Sequence, residues 1–336
     1  MNYVGLDCHQ HRSSICILDP NGKIVKQQTV HGRWPQVIDV MAQLPRPFSV
    51  CFEASAGYGW LHEKLSPLAQ RVAVAHPGQL RLIFRSKAKH DRVDAQKLAK
   101  LLYLDEVPPV HVPNLDVRQW RKFIEFRQTL LGQRTAAKNQ VRAVLRSNAV
   151  TAPKSAWSRR GRRELLALAL PAADQLSVEL ALDQIDHLNL GIKRVEKELA
   201  RIGDAHPGVT LLRTIPGVGI RTAEAFCAYV DDVRRFARGR QVAAYFGLVP
   251  CLDSSAGKDR FGHITRQGPA TVRKLLTEAA WQGIRRSPTI RSFFQRVTGQ
   301  DPDRRKIALI ATGHYLCRVM TAMLRSGQSW QEKIMN

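Results

Sequence analysis

The chain has 336 residues, with 52 Lys and Arg against 28 Asp and Glu, a formal net charge of +24 and a pI near 10.4. Hydrophobic residues make up 44%, which excludes a disordered polyelectrolyte and supports about two cored domains. The charge excess makes a polyanion the natural partner. Nucleic acid is favoured over a membrane, because no apolar stretch reads as long enough to span and no basic amphipathic tail stands apart.

In chain order, "NYVGLD" (2–7), "SSICIL" (13–18) and "IVKQQTV" beyond the turn signal "DPNGK" (19–23) read as a three-stranded antiparallel meander. A helical run follows around 35–43. A strand "FSVCFE" (48–53) then ends on Glu53, "ASAGYGWLHEKL" passes from loop to helix, and "RVAVAH" (71–76) is another strand. Three strands followed by strand–helix alternation predict an α/β domain with a mixed sheet. Cys8, Cys16, Cys51, Cys227, Cys251 and Cys317 include no Cys-x-x-Cys. They read as free thiols of a reducing compartment, not a zinc ribbon. "MNYVGLD" reads as a strand, not a signal peptide.

From 114 to 147 the pattern is helical, with Val117, Trp120, Ile124, Leu131, Val141 and Leu145 on one side. Arg118, Arg121, Arg127, Arg134, Lys138 and Arg142 decorate the rest. These read either as a solvated basic face or, given the global charge, as contacts to a nucleic-acid backbone. "RSNAVTAPKSAWSRRGRRE" (146–164) reads as a basic connector containing Arg159, Arg160, Arg162 and Arg163, with Trp157 as a candidate base-stacking or packing residue. Val178, Leu182, Ile185, Leu188, Ile192, Val195, Leu199 and Ile202 then form a coiled-coil-like seam, whose partner, within the chain or in a second chain, spacing leaves open.

The C-terminal part opens with "LLRTIPGVGIRTAEAFCAYV" (211–230). Gly217 and Gly219 between two helical runs resemble a helix–hairpin–helix turn, where backbone amides approach a phosphate; a plain tight turn is the alternative. A loop, "CLDSSAGKDRFGHITRQGP" (251–269), and two helical runs, 270–286 and 304–326, complete the chain.

Four acids carry the chemical argument. Asp7 and Glu53 each end a strand, while Asp91 and Asp94 lie one turn apart at the start of a helix, inside "SKAKHDRVDAQKLAKLL" (86–102). Carboxylates brought together at strand ends suit Mg²⁺, a hard cation that takes oxygen ligands. Two such ions can activate an attacking oxygen and stabilise a leaving one. Singly each acid has an ordinary explanation: a turn at Asp7, a helix N-cap at Asp91, pairing of Asp94 with Lys97 or Lys100, a surface position for Glu53.

"YVGLDCHQ", "CFEASAGYG" and "KHDRVDAQKLA" resemble the DEDD transposases of bacterial insertion sequences, the "IS-one-ten" group with its "IS-eleven-eleven" branch. So do "IPGVGIRTAEAFCAYV", "FARGRQVAAYFGLVP", "SSAGKDRFGHITRQG" and "VRKLL" in the second half. The resemblance implies a ribonuclease-H-like (RuvC-like) catalytic domain over 1–150. It also implies a basic linker with coiled-coil helices over 151–205, and a mainly helical transposase domain over 206–336. It further implies Mg²⁺ at Asp7, Glu53, Asp91 and Asp94 and a catalytic serine after the "GL-x-P" segment. Ser255 fits that serine, with Ser254 adjacent and Ala256 standing where the family often has Gly. Lys258, Arg260, His263 and Arg266 surround the loop and suit a phosphate. The family implies a cytoplasmic, nucleoid-associated bacterial recombinase acting on double-stranded DNA, in at least part of the family with a non-coding bridge RNA. A homo-oligomer, dimer or tetramer, and no membrane are expected. A hydrolytic nuclease or junction resolvase using water, and a non-enzymatic nucleic-acid-binding protein, are the competing readings.

Overall fold

The structure, a computed structural model, describes residues 1–83, 91–255 and 258–332; the side chains of Asp91, Ser255, Lys258 and Asp259 also lie outside the described set. Contacts divide the chain into Met1–Leu115 and Asp116–Asn336.

The first unit is built on a five-stranded sheet of β1 (Asn2–Cys8), β2 (Arg12–Leu18), β3 (Ile24–His31), β4 (Phe48–Glu53) and β5 (Arg71–Ala75). Its order is β3-β2-β1-β4-β5. The meander forms because Asp19 closes its second turn: the carboxylate accepts from the amides of Asn21 and Lys23, both at 2.8 Å, and Gly22 takes φ +77°. β1 pairs antiparallel with β2 and parallel with β4, and β4 pairs parallel with β5. Parallel strands need crossovers, and α1 (Trp34–Ala42) and α2 (Tyr58–Leu65) lie in those connections. Alternation along β1 sorts its side chains. Val4 and Leu6 join Ile15, Ile17, Val37, Met41, Leu61 and Leu65 in a core on the α1–α2 face.

The opposite face is covered by α4 (Asp91–Tyr103), which follows α3 (Pro77–Ile83). Gly5 makes this possible, since a Cβ there would lie 1.9 Å from the Ala95 carbonyl oxygen and 2.4 Å from the Ala99 nitrogen. Ala95 and Ala99 are fully buried with Cys16 and Leu18. At the other end of α4, Tyr103 meets Tyr3 edge-on, ring centroids 5.3 Å apart. The helix therefore runs antiparallel to β1, its start over the end of that strand.

The second unit is mainly helical. α5 (Leu115–Ser147) and α7 (Ala172–Asp204) each have 33 residues and form an antiparallel hairpin, with α6 (Arg159–Leu166) in its connection. The hairpin is stitched by Asn148–Asp174 at 2.8 Å, Gln140–Ser177 at 3.2 Å, Arg134–Asn189 at 2.9 Å and Arg127–Glu196 at 2.7 Å. Val178, Leu182 and Ile185 of the seam pack with Ala137, Val141 and Leu145 of α5. Ile192, Val195 and Leu199 join Trp120 and Ile124 in the main core of the unit. That core is completed by α8 (Pro207–Leu212), α9 (Ile220–Val230), α10 (Gly239–Tyr245), α11 (Ala270–Arg286), α12 (Pro288–Thr298) and α13 (Arg305–Ser326).

Several expectations change. The seam is intramolecular, so its buried residues are not the surface that joins a second chain. The long helix α5 packs with the helices C-terminal to it, and contacts separate at Leu115. The connector is partly helical: Ser158 caps α6 by accepting from the Gly161 amide at 3.1 Å, and Leu165 is fully buried. The serine loop contains a two-stranded antiparallel ribbon, β6 (Pro250–Ser255) and β7 (Lys258–Ile264). α12 has no counterpart among the expected helices; it is marked by Ser287, whose hydroxyl caps the Ile290 amide at 3.1 Å, and by Pro288 in its first turn. The run Pro302–Ser326 is long and apolar enough to cross a membrane, contrary to the sequence reading. Its Leu316, Cys317, Met320 and Met323 are buried in the main core.

Candidate active site

The first unit puts Asp7 and Glu53 side by side at the ends of two strands, and Asp94 on the helix that covers the same face. β1 and β4 stay in register through Leu6 and Phe52, so Asp7 and Glu53 are the next residues on two adjacent parallel strands. Asp7 lies two residues after Gly5, and Glu53 two after Cys51, the partner of Gly5. All four therefore share the face on which α4 lies. Asp94 precedes Ala95, the residue seated against Gly5. The side chain of Asp91, first residue of α4, lies outside the described residues.

The electrostatics are local. His9 Nε2 stands 3.3 Å from Asp7 Oδ2, and the Asp7 side chain is 17% exposed. Lys97 Nζ stands 3.1 Å from Asp94 Oδ1, one turn along α4. Among the described residues, no group of three His, Cys, Asp or Glu side chains is assembled as a metal cage. The donor chemistry nonetheless fits a hard cation: two carboxylates at neighbouring strand ends and a third on the covering helix, Asp7 and Asp94 each beside a cationic or potentially cationic group. Ser14, directly across from Asp7 in the β1–β2 ladder, is 1% exposed, and among the described residues its hydroxyl has no hydrogen-bond partner. An orphaned buried hydroxyl beside a carboxylate suits an ordered water or ion shell. Burial pushes the neighbouring Cys8 thiol up to about 12, so it stays protonated at neutral pH.

His9 and Ser14 are the residues sequence reasoning passed over, whereas the pairing of Asp94 with Lys97 was among its alternatives. Their signals were present: His9 lies two residues beyond Asp7, and Ser14 is a polar residue heading an apolar strand, opposite Asp7.

The serines lie in the second unit. Ser254 is exposed on β6 and pairs with Asp259 in the ladder; Ser255 pairs with Lys258 by backbone register, and the side chains of Ser255 and Lys258 lie outside the described residues. Arg260, opposite Asp253, and Arg266, at φ +54°, are exposed. The ribbon is rooted by Arg273, whose guanidinium donates to the carbonyls of Phe246 at 3.2 Å, Gln267 at 2.5 Å and Gly268 at 3.0 Å.

The basic residues separate into two groups. Arg127 pairs with Glu196 and Arg134 donates to Asn189, both inside the helical hairpin. Arg162 pairs with Asp186 and donates to the Leu182 carbonyl at 3.2 Å. Lys138 and Arg142 sit over the Trp157 ring at 5.0 and 5.4 Å, which gives that tryptophan a packing role. Burial and the neighbouring Arg134 and Arg142 hold Lys138 below the ordinary lysine value. Arg159, Arg160 and Arg163 are exposed, Arg160 with Glu164 at 2.8 Å. At the glycine turn, Gly217 has φ +94°, and a Cβ there would lie 2.4 Å from the Gly283 nitrogen. Close packing on α11 thus accounts for Gly217, whereas Gly219 heads α9 with open space around it.

Two family models match. One, described as "Transposase" and designated DEDD_Tnp_IS110, covers residues 4–149. The other, "Transposase IS116/IS110/IS902 family", covers residues 209–295. Among curated relatives, a "Probable family 20 transposase" of Pseudomonas aeruginosa is 29% identical over 298 residues, 85% of each chain. The "Transposase for insertion sequence element IS1111A" of Coxiella burnetii is 25% identical, covering 82% of this chain and 76% of its own. An "Insertion element IS110 uncharacterized 43.6 kDa protein" of Streptomyces coelicolor is 23% identical, covering 79% and 76%. With the acids in the order strand-Asp, strand-Glu, helix-Asp-x-x-Asp and both halves matched, the chain belongs to the IS110 family of insertion-sequence transposases.

Proposed function

We propose that the chain is a DNA recombinase that excises and inserts a mobile element by transesterification through a serine. The first unit would act as a ribonuclease-H-like domain; its strand order, with an antiparallel meander and two parallel additions, supports that reading. The observation that carries the proposal is the placement of Asp7 and Glu53 on adjacent parallel strands, on the face covered by the helix that carries Asp94. Mg²⁺ held by Asp7, Glu53, Asp94 and Asp91 would supply charge neutralisation and lower the pKa of an attacking oxygen. The chain's own contribution would be to hold Asp7 and Glu53 at neighbouring strand ends under the helix that carries Asp94, and to keep Ser14 beside Asp7 as a hydrogen-bonding position for a bound water.

In the second unit Ser255, or its neighbour Ser254, is the proposed nucleophile. The hydroxyl gives up its proton, its oxygen forms a bond to phosphorus, and the displaced DNA hydroxyl takes a proton. The resulting ester conserves the phosphodiester energy for strand exchange. Arg260 and Arg266 offset phosphate charge. Double-stranded DNA, a guide RNA and a second copy of the chain are the proposed partners, with Arg159, Arg160 and Arg163 as outward backbone contacts. Incubation with DNA spanning the element ends, in Mg²⁺, should give a covalent protein–DNA adduct that survives denaturation and is lost in Ser255→Ala. Cleavage without any adduct would favour the hydrolytic reading.

A further inference from the structure

The β6–β7 ribbon presents an apolar pair outward. Leu252 and Phe261 are direct cross-strand partners, so their side chains share one face. They are 57% and 70% exposed. The ribbon is a sheet of two strands, whose principal neighbours are each other. Two strands alone are marginal, and large apolar groups on such a ribbon gain nothing from staying in water. The root, by contrast, is fixed: Arg273 ties three carbonyls, the Thr265 amide donates to Val249 at 2.9 Å, and Gly268 packs where a Cβ would lie 2.0 Å from the Tyr245 carbonyl. The molecule thus holds an anchored two-stranded arm with an apolar pair partway along one face.

The charge around it selects the occupant. Arg260 lies on the adjoining rung and Arg266 at the ribbon's end, both exposed. The unit that carries the arm has 38 Lys and Arg against 19 Asp and Glu, which at this ribbon favours phosphate over the same cationic face of another copy. An aromatic and a leucine flanked by arginines match the stacked bases of a duplex between its two backbones. Apolar wedges of this kind unstack a base step, and aromatic rings stack on any base.

We propose that the ribbon enters a DNA duplex and that Phe261, backed by Leu252, wedges into a base step beside the serine pair, while Arg260 and Arg266 hold the adjoining phosphates. This rests on the DNA-recombinase reading and adds a residue that opens the helix next to the bond to be broken.

The test uses the full chain and mixed-sequence duplexes carrying 2-aminopurine at single positions, with anisotropy for binding and emission for unstacking. Wild-type protein should bind and raise the emission. Phe261→Ala and the Leu252→Ala/Phe261→Ala pair should abolish the rise and weaken binding between about fivefold and a hundredfold, the loss of one base–aromatic stack. Phe261→Trp should retain both. Circular dichroism melts should match wild type, since the side chain is exposed. Undiminished emission in the alanine variants overturns the wedge while leaving the recombinase reading standing. A drop in sedimentation mass in those variants with unchanged emission would assign the ribbon to self-association instead. A rise with duplex RNA but not DNA would overturn the choice of DNA. Failure of wild-type protein to bind any duplex would remove the recombinase reading and the wedge with it.

Discussion

The two units divide the charge unequally. Residues 1–115 hold 14 Lys and Arg against 9 Asp and Glu, while residues 116–336 hold 38 against 19. The four acids of the site lie in the nearly balanced unit, and the excess of cation lies in the other. The difference teaches how a basic protein can keep a cluster of carboxylates available. Positive side chains crowded beside them would compete with a metal for the same oxygens. Among the described residues of the sheet unit, His9 stands beside Asp7 and Lys97 beside Asp94. The helical unit engages three of its arginines in internal pairs, Arg127–Glu196, Arg162–Asp186 and Arg221–Glu224.

Breaking the acid side of this comparison has the largest effect. Asp7→Asn or Glu53→Gln should lower strand transfer by about a hundredfold or more, with DNA affinity retained because the cationic unit is untouched. A parallel loss of affinity and activity would merge the two roles. Mixing Asp7→Asn protein with Ser255→Ala protein extends the test, since recovered activity requires the acids of one chain and the serine of another to share a site.

The next effect is on folding. Gly5→Ala forces a methyl into the backbone of α4, 1.9 Å from the Ala95 oxygen. It should destabilise the sheet unit by about 1–3 kcal/mol, read as an earlier denaturant midpoint, and leave the helical unit's transition in place.

These two predictions rest on features that were unequally visible in the sequence. The meander, the parallel strands and the positions of Asp7 and Glu53 follow from short apolar runs and a turn at Asp19. That Gly5 is the contact for α4 did not follow, because a glycine inside a strand signals close approach without saying of what. The β6–β7 ribbon was invisible because "PCLDSS" and "KDRFGHI" mix polar, charged and glycine residues, and only pairing makes them strands. The seam of α7 was legible as periodicity, yet its partner was not; the ladder from Arg127 to Asn148 identifies it as α5. Ser14 was unread because its meaning depends on register: the hydroxyl matters only once it lies opposite Asp7.

A smaller effect sharpens the cationic side. Alanine at Arg159 or Arg163, both exposed, should reduce the slope of log affinity against log salt by about 1 each. Arg134→Ala should leave that slope unchanged and lower stability, because its guanidinium is engaged with Asn189.

The smallest is a pH dependence. Glu224 is fully buried beside Arg221, and burial pushes its carboxyl up to about 7 from an ordinary 4.5, against the lowering charges of Arg221 and Arg127. A folded value above the unfolded one means that its contribution to stability is complete below about pH 4.5 and is lost as pH rises through about 7. The melting temperature of the helical unit should therefore fall by a few degrees across that window, and Glu224→Gln should flatten the fall.

Local cleavage by bound iron tests the convergence of the acids most directly. Fe²⁺ substituted for the divalent cation, with ascorbate and peroxide, cuts backbone within a few ångströms of where it sits. Three cuts, near Asp7, near Glu53 and near Asp94, all suppressed by excess Mg²⁺ and by Asp7→Asn, are the expected pattern. Cuts confined to one of those segments, or unaffected by Asp7→Asn, would contradict it.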